Sequence, residues 1–190
     1  MIKISLLGDS IRLLGYGKLV PQLLGDEYSV FQPQDNCRFA KYTCRGLYDW
    51  RNEMEGSRIV HWNNGLWDTC DILGDGMAFT PEEEYKSHML RVADILLKRH
   101  EKVIFATTTP VSIKNPHNKN SVIERYNSFI VPFLEEKGII INDLYSIVAS
   151  DIDRYISDDT IHLSEEGERV CAERVVSVIK ETAKLLKQID

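Results

Sequence analysis

"SLLGDSIRLLGYG", residues 5–17, decides how this chain is read. Its first residues complete the apolar run "IKISLL" (2–7), which has the length of a buried strand. Gly8-Asp9-Ser10 then breaks the run with turn residues, and Ile11 to Leu14 open a helical pattern. Ser10 has two readings at this point. It is a helix cap, the ordinary role of serine after a turn, or it is a nucleophile at the edge of a sheet.

The same alternation continues along the chain. "YSVFQ" (28–32), "RIVHW" (58–62), "KVIFATT" (102–108) and "GIIIND" (138–143) are short apolar or β-branched runs. Helical patterns separate them. At Thr80-Pro81-Glu82-Glu83 a threonine cap, a first-turn proline and a capping-box glutamate predict a helix start. Tyr85, Met89, Val92 and Leu96 then form one face. A second helix over about 120–137 buries Tyr126, Phe129, Ile130, Phe133 and Leu134, ends at Gly138 and is bent by Pro132. A third runs from Ser164 almost to the end and buries Val170, Val175, Val178, Ile179 and Leu186. Strands alternating with helices predict an α/β class, a three-layer α/β/α flavodoxin-like sandwich around a five-stranded parallel sheet. The 190 residues, with no linker or repeat, predict one domain, 1–190.

Composition narrows the function classes. The net charge is −6 and no basic stripe is present, which excludes nucleic acid as an expected partner. No apolar run has the ~20 residues of a membrane helix, and "MIKISLLGDSI" is no signal peptide, so the chain reads as cytoplasmic. Cys37, Cys44, Cys70 and Cys171 match no zinc spacing and read as reduced thiols. His61, His88, His100 and His117 read as core or surface residues, without metal-ligand spacing. "GYGKLV" lacks the third glycine of a dinucleotide fingerprint.

In a parallel sheet the ligand lies at the carboxyl ends of the strands. Four stretches meet there: Gly8-Asp9-Ser10, Asn63-Asn64-Gly65, Thr107-Thr108-Thr109-Pro110, and "SDDTIHLSEEG" (157–167) with Asp159-x-x-His162. A serine hydroxyl needs a base to take its proton, and a histidine base needs a carboxylate to orient it. Attack on an ester also builds an oxyanion that requires fixed donors. Asparagine at a strand end and the Ser10 N–H are such donors.

These residues, in this order across nearly the whole chain, resemble the SGNH (GDSL) hydrolases. The resemblance implies a sheet of order 2-1-3-4-5 and an acyl-serine esterase without metal or cofactor, with Ser10, Asp159 and His162 as the triad. It implies oxyanion donors at Ser10 N–H, at Asn64 or Asn63, and in a second block. That block, "NCRFAKYT", keeps Asn36 and Thr43 but places Lys41 where the family has glycine, so the backbone at Ala40 or Lys41 stands for the donor. The third block reads "HWNNGLWD", which leaves the two asparagines as alternatives, with strand length favouring Asn64. Asp9, Arg38, Trp62, Trp67 and Thr109 are candidate substrate contacts, Asp9 alternatively a structural support of the turn. "TTTP" and "RYN" (125–127) look like a bacterial subgroup linked to carbohydrate esters, which implies a short-chain ester, an O-acetylated sugar among the candidates. The competing readings are acyl transfer to a sugar or alcohol, a non-catalytic module binding FMN or a glycan, and a metal-dependent phosphoesterase using Asp9, Asp159 and His162. Oligomeric state is not encoded in any of these features.

Overall fold

A computed structural model describes residues 1–186. The chain runs β1 (Ile2–Leu7), α1 (Val20–Leu24), β2 (Tyr28–Phe31), α2 (Ala40–Asp49), α3 (Arg51–Met54), β3 (Ile59–Asn63), α4 (Leu66–Thr69), α5 (Glu82–Arg99), β4 (Lys102–Ala106), α6 (Asn120–Glu136), β5 (Ile140–Asn142), α7 (Leu144–Ala149), α8 (Ile152–Tyr155) and α9 (Glu165–Ala183). A π-turn over Ile11–Gly15 and a 3₁₀ turn over Tyr16–Lys18 join β1 to α1.

The five strands form a parallel sheet in the order β2-β1-β3-β4-β5. The central strands are buried almost throughout, as strands covered on both faces must be, while β2 is half-buried at one edge. Alternation sends successive side chains to opposite layers. Ile4, Leu6, Ile59 and Ile104 meet Val175 and Ile179 of α9 on one side. Leu7, Val60, Trp62 and Phe105 meet α2, α5 and α6 on the other, through Leu47, Met89, Val92 and Ile130. Among the described residues, no helix is long and apolar enough to cross a membrane.

The expected helices are present with small differences. Ser164 caps α9, its hydroxyl accepting from Gly167 N–H at 3.1 Å. Tyr126, Ile130 and Leu134 of α6 are buried, whereas Phe129 and Phe133 are half-buried under the Lys86 ammonium, 5.0 and 4.9 Å from the ring centres. The expected cap of α5 is displaced. The helix starts at Glu82 with Pro81 at its cap, and Thr80 is buried beneath it. The Thr80 N–H donates to Asp68 O at 3.0 Å, and its side chain bonds the Asp68 carboxyl. A buried carboxyl needs donors more than a solvent-facing helix end does. Burial pushes the Asp68 pKa up to about 7. All four cysteines are free thiols.

Candidate active site

The register aligns Leu7 with Trp62 and Asn63 with Ala106, so the turns after β1, β3 and β4 leave the sheet at one level. Ser10 follows β1 at the head of the π-turn. Neither its N–H nor its Oγ makes a hydrogen bond among the described residues. Its neighbours are held tightly. Asp9 is fully buried, and its Oδ1 accepts from Ile11 N–H at 3.0 Å and Asn63 Nδ2 at 2.9 Å. Burial raises the Asp9 carboxyl above the ordinary carboxylate range, against those two bonds and the charges of Arg12 and His162.

Arg12, 1% exposed, ties this turn to the segment after β2. Its guanidinium donates to Pro33 O at 2.8 Å, to Gly8 O at 3.1 Å and to Asp35 O at 2.8 Å. Cys37 adds two more stitches: its N–H donates to Gly8 O, and its Sγ accepts from Gly8 N–H. Gly8 is required here, since a Cβ would lie 1.9 Å from Asn63 Oδ1.

The opposite wall is a local turn. His162 Nδ1 and Asp159 Oδ2 are 2.6 Å apart. Asp159 Oδ1 also accepts from Ser157 Oγ, Ile161 N–H and His162 N–H at 2.8 to 3.0 Å. Partial desolvation opposes ionisation of Asp159, but these donors outweigh it and hold the carboxyl well below the ordinary range. An ionised Asp159 requires the proton on Nδ1, which leaves the Nε2 lone pair of His162 free.

Ser10, Asp159 and His162 line one cleft of about 610 Å³. Asn36 and Trp67 line it as well. The other sequence candidates lie elsewhere. Trp62 is in the core rather than the cleft, fully buried 5.0 Å from Phe105, with Nε1 donating to Asn64 Oδ1. Arg38 is exposed and lies over the Tyr42 ring, 4.7 Å from its centre. Lys41 pairs with Glu84 at 3.8 Å, outside the cleft, and Ala40 N–H is directed to Asp68. Thr109 is buried with its hydroxyl unpartnered, away from the cleft lining.

The two asparagines are distinguished by their partners. Asn64 is fully buried; its Oδ1 accepts from Thr43 Oγ1 and Trp62 Nε1, and its Nδ2 donates to Arg38 O. Asn63 lies against the Ser10 turn, Oδ1 accepting from Tyr16 Oη at 3.0 Å and one Nδ2 hydrogen on Asp9. Asn36 is the cleft residue to which the sequence reading gave no role. Its Oδ1 accepts from Arg38 N–H at 2.7 Å, with Arg38 at φ 48°, and its Nδ2 donates to no described residue. That Asx turn fixes the amide oxygen and leaves the amide N–H group without a partner among the described residues. The sequence signal was its pairing with Thr43 in the second block.

No protein-family model and no curated protein matches the chain. Solved structures do match. The acetyl xylan esterase AlAXEase superposes with a TM-score of 0.77 at 20% identity, over 94% of this chain and 100% of the other. The lipase/acylhydrolase from Enterococcus faecalis gives 0.77 at 20%, over 96% and 97%. A carbohydrate esterase of family 3 from Talaromyces cellulolyticus gives 0.73 at 18%, over 98% and 100%. The chain shares their fold. At these identities the likeness speaks for the architecture expected from the sequence, the 2-1-3-4-5 sheet between helical layers, and for no individual side chain.

Proposed function

We propose that the protein is a serine hydrolase of carboxylic esters. The observation that carries the reading is the convergence of Ser10 with the Asp159–His162 pair on one cleft at the carboxyl edge of the sheet. Ser10 Oγ attacks the ester carbonyl carbon while His162 Nε2 takes its proton. Asp159 keeps the Nδ1 proton in place and stabilises the imidazolium. The carbonyl oxygen becomes an oxyanion, held by Ser10 N–H, by the second Nδ2 hydrogen of Asn63 and by Asn36 Nδ2. The tetrahedral species then collapses, His162 gives its proton to the leaving alcohol, and the acyl-serine remains. Water attacks the acyl carbon in the second half, again losing its proton to His162, and releases the acid with Ser10 restored.

In this assignment Asn63 replaces Asn64 as the strand-end donor, because the Asn63 amide is bonded to Asp9 beside Ser10, whereas the Asn64 amide is turned to Arg38 O. Asn36 takes the place expected of Lys41. The short-chain, O-acetylated-sugar reading draws its support from the acetyl xylan esterases among the structural neighbours.

The test is covalent labelling with a fluorophosphonate, read by peptide mass, together with turnover of a broad ester panel. The label is expected on Ser10, and Ser10→Ala should lose label and turnover with an unchanged thermal transition. Undiminished turnover in Ser10→Ala, or no label on the wild type, would overturn the reading.

A further inference from the structure

The walls of the cleft carry chemistry that a small polar ester does not need. Leu14, Trp67, Ile72 and Phe79 line it and are 49, 43, 55 and 46% exposed. Large apolar side chains left open to water are unfavourable unless something covers them. Phe39 adds to the same wall, its ring centre 5.6 Å from that of Phe79. These groups come from the π-turn, from α4 and from the 70–79 segment, so they surround the opening rather than form one stripe.

Away from Ser10, Asn36 and His162, the polar side chains of the lining are Asn115, Asn118, Asp159 and Thr160, which are bonded within the protein, and His117, whose ring bonds to no described residue. Asn115 Nδ2 donates to Thr160 Oγ1, and its Oδ1 accepts from the N–H groups of His117 and Asn118. Asn118 Nδ2 donates to Leu66 O and Thr69 Oγ1. A sugar seated against Leu14, Trp67, Ile72 and Phe79 would find few hydrogen-bond partners for its hydroxyls on that wall. Volume points the same way. A cavity of about 150 Å³ holds a benzene-sized ring, and this cleft offers about 610 Å³. An acetyl group fills little of it.

We infer that the substrate is an ester bearing a bulky apolar group on one side of the scissile bond, an alkyl chain of about six carbons or an aromatic ring, seated against Leu14, Trp67, Ile72 and Phe79. This rests on the esterase reading and replaces the short-chain expectation.

Two ester series assayed by proton release test it. One lengthens the acyl group, from ethyl acetate to ethyl octanoate. The other lengthens the alcohol, from ethyl to octyl acetate, with 2-phenylethyl acetate added. In at least one series kcat/KM should rise about tenfold or more from the smallest member to the six-carbon member. Trp67→Ala combined with Ile72→Ser should lower that ratio about fivefold or more, and Trp67→Phe alone should retain most of it. Ile113→Ser, at a 95% exposed position outside this cleft, should leave the ratio unchanged. Flat or falling profiles in both series overturn the inference, as does a ratio that the Trp67/Ile72 pair does not move. Fluorophosphonate labelling separates the failures: a labelled Ser10 with no apolar preference overturns this inference alone, and an unlabelled Ser10 overturns the esterase reading beneath it.

Discussion

Contacts from the ends of β1, β2 and β3 hold Ser10, whereas the bonds to the His162 and Asp159 side chains are made within the 157–162 turn. On the serine side the supporting groups are buried and remote in sequence. Arg12 reaches Pro33 and Asp35, and Asp9 reaches Asn63. On the histidine side the support is local and wet, with the side chains of Asp159 and His162 50 and 30% exposed and their bonds made within the turn. A buried long-range network contributes to stability and to geometry at once. A solvated local turn contributes mainly to geometry. The two halves of one site should therefore fail differently when broken.

The largest effect is expected where geometry alone is lost. Asp159→Asn removes the acceptor that fixes the His162 tautomer, and kcat should fall about 1,000- to 10,000-fold. The thermal transition should stay within about 2 °C of wild type, because the pair is half in water. A large drop in melting temperature would show that the histidine side also supports the fold, and the contrast would be lost.

Arg12→Met should show the opposite pattern. The substitution keeps the length of the side chain but leaves the Pro33 and Asp35 carbonyls unpaired, Gly8 O with the Cys37 N–H as its remaining donor, and Asp9 without its neighbouring cation. Leaving buried carbonyls without their charged donor costs about 1–3 kcal/mol each, measurable by urea unfolding. Activity should fall with it, since Arg12 joins the Ser10 turn to the Asn36 segment. A loss below about 1 kcal/mol would mean that the Cys37–Gly8 bonds suffice to hold the two strand ends together.

The same contrast explains what the sequence discloses. Asp159-x-x-His162 is legible because its bond closes within one turn, so spacing predicts contact. The alternation of strands and helices is legible because burial on both faces leaves apolar runs in β1, β3 and β4. The proposed oxyanion side is not legible in that way. Asn63 and Asn64 are adjacent and chemically identical, and only the packing of Asp9, Tyr16, Thr43 and Trp62 around them separates their roles. Trp62 and Trp67 are likewise equivalent in the sequence, and the β3 pleat sends one into the core while α4 carries the other to the cleft. Lys41 stands at the glycine position of the resembled family, where the backbone N–H is the expected donor, and its side chain turns outward to Glu84 at the start of α2.

Asn36 sharpens the comparison because it belongs to the serine side yet is only half-buried. Asn36→Asp keeps the oxygen that accepts from Arg38 N–H and replaces the amide donor by a charged acceptor facing the developing oxyanion. It should lower kcat about 100- to 1,000-fold with little change in melting temperature. Asn36→Ala should lower kcat comparably, and it should also loosen the loop through loss of the Asx turn, costing about 1 kcal/mol. Wild-type kcat in Asn36→Asp would remove Asn36 from the hole and leave Ser10 N–H and Asn63 as its donors.

The smallest effect tests whether the histidine turn is strained. Thr160 lies between Asp159 and His162 at φ 74°, a region that a β-branched residue rarely enters. Two tertiary contacts hold it there. Its carbonyl accepts from Ser112 N–H at 3.0 Å, and its Oγ1 accepts from Asn115 Nδ2 at 3.1 Å. Left-handed backbone costs an L-residue about 1–2 kcal/mol, and asparagine tolerates it best among residues with a side chain. Thr160→Asn relieves part of that strain and forfeits the bond from Asn115, so a net gain of about 0.5 kcal/mol is expected in urea unfolding. If the turn serves only to present His162, kcat should be unchanged in this variant. A more stable protein with a lower kcat would instead mean that the strain at Thr160 sets the angle of the imidazole. The histidine side would then depend on the 112–115 loop much as the serine side depends on Arg12.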